Sequence, residues 1–588
     1  MRQADGALSS VLLMDRTTGN NLVWATDTYA ARGKGYGAGD CIVHANDILP
    51  HALRTAAQQK IRLKSKAEVF TPAWICRAQI DAVDNARKKA TAANASWQEY
   101  VVAPRLEIAC GEAPYLTGRY DAASGKEIAP QDRSGILDRK LRAVSDRIAD
   151  ERQWLAHAFD ALRSVYGFDW QGDNVYLARE NLVAAFAEAY AEKFGAPLPY
   201  DRLYEAAEIV SWNVWQMDGI RGVTVTAQRL RCKIRLWRTN ETAEFASLAS
   251  VAPSYFEAIV GNPPYQIADG GAQSSAKPIY HLFAEAVTAL RPRYISLILP
   301  ARWYAGGKGL DAFRASMLAD RHISLLVDYP DSTDCFPALG TRSIKGGVCW
   351  FLRDDAHNGT CAVRTMRGNT CVSFSERYLK EDGCDIFIRD AVGASVRRKT
   401  AALGEPSFAA TVHPRKPFGL PTDFSAYTAQ KRQADDCLLY AWHKTGYIAR
   451  AQIVRNAAWA DSYKLFVPEA IGAADVTTDT VKPILAGKGT CCTETYLLVG
   501  PFPDVDTARN CKAYMETKFF HFLLSLCKIT QHTTRKCYTF IPAQDFSRPW
   551  NDAQLYEKYG LTQEEQNYIE TTVWRNKRHA KRGKGLGA

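Results

Sequence analysis

The residues best suited by type and spacing to a specific reaction are Asn262, Pro263, Pro264 and Tyr265. Two consecutive prolines fix the backbone and remove two amide donors, so the turn can direct main-chain carbonyls outward as acceptors. The Asn262 side-chain oxygen and the Pro263 carbonyl then make a pair of acceptors for one amino group. Drawing on both N–H bonds concentrates electron density on the nitrogen as it attacks an electrophilic methyl, an effect aimed at the transition state. Tyr265 would offer a flat face to a base rotated out of its duplex, because a stacked base cannot present its amino group in line. An ordinary rigid turn uses the same residue types, so position decides between the readings. Residues 256–261 read as a buried strand ending at Gly261, which puts Asn262 at the carboxyl end of a strand, where open α/β sheets bind ligands.

Pieces upstream suggest what supplies the methyl. Residues 106–114 pass from a strand into a tight turn containing Gly111, with Ala109 and Cys110 before it and acids at Glu107 and Glu112. This is not a Gly-x-Gly-x-x-Gly phosphate cradle, and its acids would repel a pyrophosphate. A cationic ligand without phosphate, such as S-adenosylmethionine, fits better, with Glu107 at its amino-acid end and the Gly111 backbone making room. Asp169 ends a second apolar run in the place of an acid that binds ribose hydroxyls, with Asp173 competing for that role. Asp218 follows a third short apolar stretch and could accept from an adenine amino group. Each of these acids has a plain alternative as a surface or ion-paired carboxylate.

The elements that must hold these residues are legible as alternating patterns. Apolar runs at 105–109, 164–168, 256–260, 294–299, 323–327 and 347–352 read as buried strands, and 179–194 and 279–290 read as helices between them. Such alternation predicts a parallel sheet covered on both faces. We therefore expect an N-terminal segment over 1–66, ending in a basic helix-friendly stretch from 56, and an α/β domain over 67–355. Residues 117–162, too long for a simple crossover, read as an insertion. A C-terminal domain of mixed texture fills 356–588, helical near 563–574 and ending in a basic tail.

The chain has 588 residues, 47% hydrophobic and 23% charged, which suits two or three globular domains. No run nears the roughly 18 apolar residues of a membrane span, and a secretory leader is not apparent, so a cytoplasmic location without membrane association is expected. Fifteen cysteines without any Cys-x-x-Cys pair fit a reducing compartment and leave no metal site expected. Seventy-four basic against 63 acidic residues give +11, a field suited to a polyanion. The tail carries Lys577, Arg578, Lys581, Arg582 and Lys584 and reads equally as a solvated end.

In order, Phe70-Thr71-Pro72, Glu107 to Gly111, Asp169, Asp218 and Asn262 to Tyr265 resemble the gamma-type N6-adenine DNA methyltransferases of type II restriction-modification systems. Segments 278–283, 299–303 and 346–351 look like later motifs of that family. The resemblance implies a Rossmann-like methyltransferase sheet with a mixed α+β target-recognition domain after it. It implies S-adenosylmethionine as cofactor, held by Phe70, Thr71, Pro72, Glu107, Ala109, Cys110, Gly111, Asp169 and Asp218. It further implies double-stranded DNA as partner, a separate restriction endonuclease as a possible companion, and Asn262, Pro263, Pro264 and Tyr265 as the catalytic set. Two departures stand out: Ala113-Pro114 replaces a second glycine in the cofactor loop, and the insertion lengthens the path to Asp169. Residues 528–538 and 542–546 resemble the end of a recognition region.

Other readings remain. None of the 25 prolines precedes a cysteine, which excludes the thiolate of carbon methylation, while the amino group of cytosine would suit the same acceptor pair. Pro503-Asp504 with Glu516-Thr517-Lys518 superficially resembles a magnesium nuclease set, which would make the chain bifunctional. A binding module that keeps the fold without turnover is the third alternative.

Overall fold

A computed structural model describes residues 6–55, 57–59, 61–62, 68–91, 96–267, 277–307, 309–339, 344–442, 444–469, 481–527 and 533–582. Backbone contacts divide the chain into one unit of Met1–Leu379 and a second of Lys380–Ala588.

The first unit is built on nine strands: β1 (Arg105–Ile108), β2 (Val165–Asp169), β3 (Val214–Gln216), β4 (Ala258–Gly261), β5 (Tyr294–Pro300), β6 (Ile323–Tyr329), β7 (Val348–Asp354), β8 (Cys361–Arg367) and β9 (Thr370–Arg377). They lie in the order β9-β8-β6-β7-β5-β4-β1-β2-β3. From β3 through β5 all pairings are parallel, and β7 enters antiparallel between β5 and β6. Every residue of β1 to β5 is buried, as a sheet covered on both faces demands. This is the expected Rossmann-like α/β fold. It runs past 355 to Leu379 because β8 pairs in parallel with β6 and β9 closes a hairpin onto β8.

Seven helices matter here: α1 (Gly6–Leu13), α2 (Ala73–Ala90), α3 (Ile136–Ser145), α4 (Glu151–Arg163), α5 (Gly172–Phe194), α6 (Tyr200–Asn213) and α7 (Tyr280–Ala289). The stretch at 117–162 folds into α3 and α4, whose Leu137, Leu141 and Trp154 share one core with Val175 and Leu182 of α5. Asp138 closes the loop before α3 by accepting from the Gly118 and Gly135 amides at 2.7 and 3.0 Å. The N-terminal residues do not stand apart either. Leu8, Leu12, Trp24 and Ile48 join the same core. Buried Arg179 of α5 donates to the carbonyls of Leu12, Met14, Ser211 and Val214, stitching α1 and α6 to the sheet edge. Of the basic stretch before 67, residues 56, 60 and 63–66 lie outside the described residues.

The second unit mixes two three-stranded sheets with helices at Val505–Met515, Lys518–Cys527, Asp552–Lys558 and Gln563–Arg582. Phe408, Tyr514, Phe520 and Tyr538 are among its core residues. Residues 528–532 of the expected recognition stretch and Lys584 of the tail lie outside the described residues, as do the side chains of Lys577, Arg578, Lys581 and Arg582. Among the described residues no helix is long and apolar enough to cross a membrane.

Candidate functional site

The strand order reverses direction at β1, whose neighbours are β2 and β4. Right-handed crossovers then send the connections on the two sides of β1 to opposite faces of the sheet and leave a crevice at the carboxyl ends of β1 and β4. A cavity of about 440 Å³ opens there. Phe70, Thr71, Glu107, Ala109, Cys110, Gly111, Asp169, Asp218 and Asn262 to Tyr265 all line it. Of the catalytic and cofactor residues that the resemblance implies, Pro72 alone does not; its carbonyl instead starts α2 by accepting from Ile75 and Cys76.

Glu107 is 2% exposed, and one carboxylate oxygen accepts from the Tyr115 and Leu116 amides at 3.2 and 3.1 Å. Burial pushes its carboxyl well above the ordinary range, against those two amides. The loop after β1 bends through three left-handed residues, Ala109 (φ 46°), Gly111 (φ 53°) and Ala113 (φ 65°). Ala113, which stands where the resembled family has a glycine, thus keeps a glycine-like backbone at a cost of about 1–2 kcal/mol. At Gly111 a Cβ would also stand 3.1 Å from the Phe70 ring. Phe70 is stacked in turn on His51 with centroids 4.1 Å apart, and burial lowers that imidazole to about 4.

Asp169 accepts from the Gln171 amide at 2.7 Å and the Gly111 amide at 3.0 Å, which ties the end of β2 to the β1 loop. Burial raises its carboxyl to about 6. Asp173, its competitor, does not line the cavity. Although burial works to raise its carboxyl, Arg62 and Arg54 outweigh that and bring it down to about 2. Asp218 accepts from the Ile220 and Arg221 amides on one oxygen and from the Arg221 and Arg229 guanidinium groups on the other.

Asn262 follows β4 after Gly261, where a Cβ would come within 2.6 Å of the Ile108 carbonyl of β1. Its amide nitrogen donates to the Val69 carbonyl and the Thr71 hydroxyl, both at 3.1 Å. A carbonyl can only accept, so the NH2 must face Val69, and the amide orientation is settled by chemistry. Asn262 Oδ1 is buried and makes no hydrogen bond. Tyr265 is 8% exposed and packs with Ile75, Tyr329, Phe336 and Trp350. Burial holds its phenol well above the usual range, with the Asn262 side chain acting in the opposite sense.

Sequence reasoning missed one apolar wall and one ionic support. Phe168, Trp170, Met217, Leu282 and Phe283 line the cavity and form a slot suited to a flat ring. Their signal was weak, since each reads as an ordinary core residue. Glu68, which opens the Phe70-Thr71 segment, is held by Arg62 at 2.9 Å and by Asn174 at 2.8 Å. Burial would raise its carboxyl, but Arg62 and Arg54 hold it below the ordinary range. The nuclease-like set is spread out by contrast. Asp504 caps the helix Val505–Met515 and Glu516 ends it, about 16 Å of helix later. Among the described residues no group of three or more His, Cys, Asp or Glu could hold a metal.

Residues 163–336 match the sequence profile of the family described as Eco57I restriction-modification methylase. A protein of Mycoplasma pneumoniae (strain ATCC 29342 / M129 / Subtype 1), described as an uncharacterized adenine-specific methylase, is 33% identical over 113 residues. That alignment takes in 19% of this chain and 26% of the relative, so the chain spans about a quarter of the relative's length. Among solved structures, the Type IIL restriction-modification enzyme MmeI in complex with DNA is 8% identical, with a TM-score of 0.41 over 88% of this chain and 74% of that one. The DrdV–DNA complex is 10% identical, with a TM-score of 0.42 over 83% and 57%.

Proposed function

We propose, on the premise that residues 163–336 form a domain of the Eco57I restriction-modification methylase family, that this chain methylates the exocyclic N6 of an adenine rotated out of double-stranded DNA. It would act in the cytoplasm as the modification enzyme of a restriction-modification system, beside a separate endonuclease or alone. The observation that carries the reading is the buried, unpartnered Oδ1 of Asn262, whose amide nitrogen is already spent on Val69 and Thr71. A buried acceptor left unsatisfied is costly, and an amino group delivered into the cavity satisfies it.

The donor set fits S-adenosylmethionine. Carboxylates at Glu107 and Asp169, the left-handed loop at Gly111 and the slot between Trp170 and Phe283 would hold a cation that carries a flat ring. When bound, S-adenosylmethionine supplies a methyl activated by its sulfonium. Asn262 Oδ1 and the Pro263 carbonyl would accept from the two N–H bonds of the target amine and aim its lone pair at that carbon. The proton that the target amine sheds on transfer would leave to water. Tyr265 would face the target ring, and residues 380–588 would read the DNA sequence around it. Positioning and preorganised acceptors carry the rate gain, with no metal in the step.

The amino group of cytosine would suit the same acceptors, but adenine is favoured by the motif order and by the description of the Mycoplasma relative. Mapping modified bases in DNA from cells that express the protein tests the proposal. N6-methyladenine in one sequence context is expected; N4-methylcytosine or unmodified DNA overturns it. Cleavage of unmethylated DNA by the purified chain with magnesium would overturn the methylase-only form.

A further inference from the structure

Between β3 and β4 the chain makes an excursion whose charge the catalytic reading does not use. Residues 219–240 contain Arg221, Arg229, Arg231, Lys233, Arg235 and Arg238 and no acid. Arg221 and Arg229 belong to the cavity wall around Asp218. Arg231, Lys233 and Arg235 belong to an extended stretch that leads into a hairpin, with Lys233–Leu236 paired to Glu241–Glu244, and Arg238 lies in its turn. Cys232, Ile234 and Leu236 are buried at 1%, 0% and 6% exposure. Because a strand alternates its faces, Arg231, Lys233 and Arg235 share the opposite face in one row, about 6.7 Å from each to the next, with Arg235 half-buried and its guanidinium donating to Asn240.

The row is held firmly from beneath. Cys232 donates its amide to the Gly222 carbonyl, the Tyr166 hydroxyl donates to the Arg235 carbonyl, and the Arg235 guanidinium lies over the Trp212 and Trp237 rings. Arg231 and Lys233 are exposed. One acid, Glu244, sits opposite Lys233 and bridges to Arg231 at 3.0 Å in solvent, a pair worth little there. A row spanning about 13 Å runs past three or four successive phosphates of one DNA strand, at one per about 3.4 Å of axis. Guanidinium forks suit phosphate oxygens, and Arg231 stands two residues along the chain from Arg229 of the cavity wall.

We infer that the Arg231-Lys233-Arg235 row is a second DNA contact, carried by the catalytic unit itself, that grips the phosphate backbone beside the flipped nucleotide without reading sequence. This rests on the DNA methylase reading and adds a surface to it.

The test uses the full chain, its Arg231→Gln/Lys233→Gln double variant and a 40-base-pair duplex that the parent methylates. Both changes lie outside the cavity, so cofactor affinity and methyl transfer at saturating DNA should match the parent. The slope of log affinity against log salt should become shallower by about 1.8, so that a fourfold rise in salt costs the variant about twelvefold less affinity than the parent. The charge-preserving Arg231→Lys/Lys233→Arg variant should keep the parent slope, which separates lost charge from a disturbed hairpin. An unchanged slope in the double Gln variant, with a parent that methylates the duplex, overturns this inference alone. A parent that transfers no methyl to any DNA overturns the reading beneath it.

Discussion

The Thr71 hydroxyl and the Asn262 amide nitrogen lie 3.1 Å apart, although 191 residues separate them in the chain. With the Val69 carbonyl, that contact dictates which way the amide faces. Thr71→Val should therefore lower kcat about tenfold, the worth of one hydrogen bond. Thr71→Ser should restore kcat. Single-turnover methyl transfer read beside cofactor titration checks this, and an undiminished kcat in the Val variant counts against it.

Asn262→Asp keeps the shape and removes the donor, so a carboxylate would confront the Val69 carbonyl. Methyl transfer should fall by about 10²–10³-fold in this variant and in Asn262→Ala, with cofactor binding retained. Isothermal titration paired with a labelled-methyl assay separates the two effects; transfer at the parent rate would remove Asn262 from the mechanism.

Burial raises both Glu107 and Asp169, the latter to about 6, so each resists ionisation in the free protein. A cationic ligand favours the carboxylates, so its binding should release protons. Affinity should then weaken as pH falls through about 6. Calorimetry in buffers of different ionisation enthalpy reads the proton count directly, and net uptake would contradict the arrangement.

Asp173 sits at about 2 against an ordinary 3.8, so its stabilising contribution is present above about pH 4 and lost as pH falls towards 2. Replacing it with Asn leaves Arg62 and Arg54 buried with one anion fewer, which should cost about 3–5 kcal/mol. Denaturant unfolding at pH 7 should show that loss, and the gap between parent and variant should narrow at pH 3.

Ala113 pays for a left-handed backbone with a φ of 65°. Ala113→Gly should relieve it and leave the variant as stable as the parent or up to about 1 kcal/mol more stable, because the gain is partly offset by a freer unfolded chain. Methyl transfer should be unchanged. A clear loss of melting temperature would mean that the methyl side chain, buried at 0% exposure, matters more than the strain.

Much of the first unit was legible because buried strands announce themselves as short apolar runs, and strands β1, β2, β4, β5, β6 and β7 stand where such runs occur. The strands β8 and β9 escaped notice because an edge hairpin alternates with solvent: Val372 and Phe374 are exposed. The unit boundary therefore fell too early. The N-terminal residues also read as a separate piece, since nothing local says that Leu8 and Trp24 pack beneath α5. At the site, acids and glycines were visible as types and the apolar slot was not. Nor could the sequence reveal that the Asp218 oxygens are engaged by its own turn and by two arginines, or that Val69 and Thr71 orient Asn262. Those facts depend on contacts between distant segments.

The register of β1 against β4 opposes Ile108 to Gly261, and the missing side chain at Gly261 lets the two strands close at that point. The Glu107–Gly111 loop of the proposed donor site follows one strand and the Asn262 turn follows its immediate neighbour. The backbone anchors of the two are therefore held at the interstrand spacing of about 4.8 Å, a length that backbone hydrogen bonding enforces. On the proposed reading, the sheet itself spaces the two anchors before any ligand arrives.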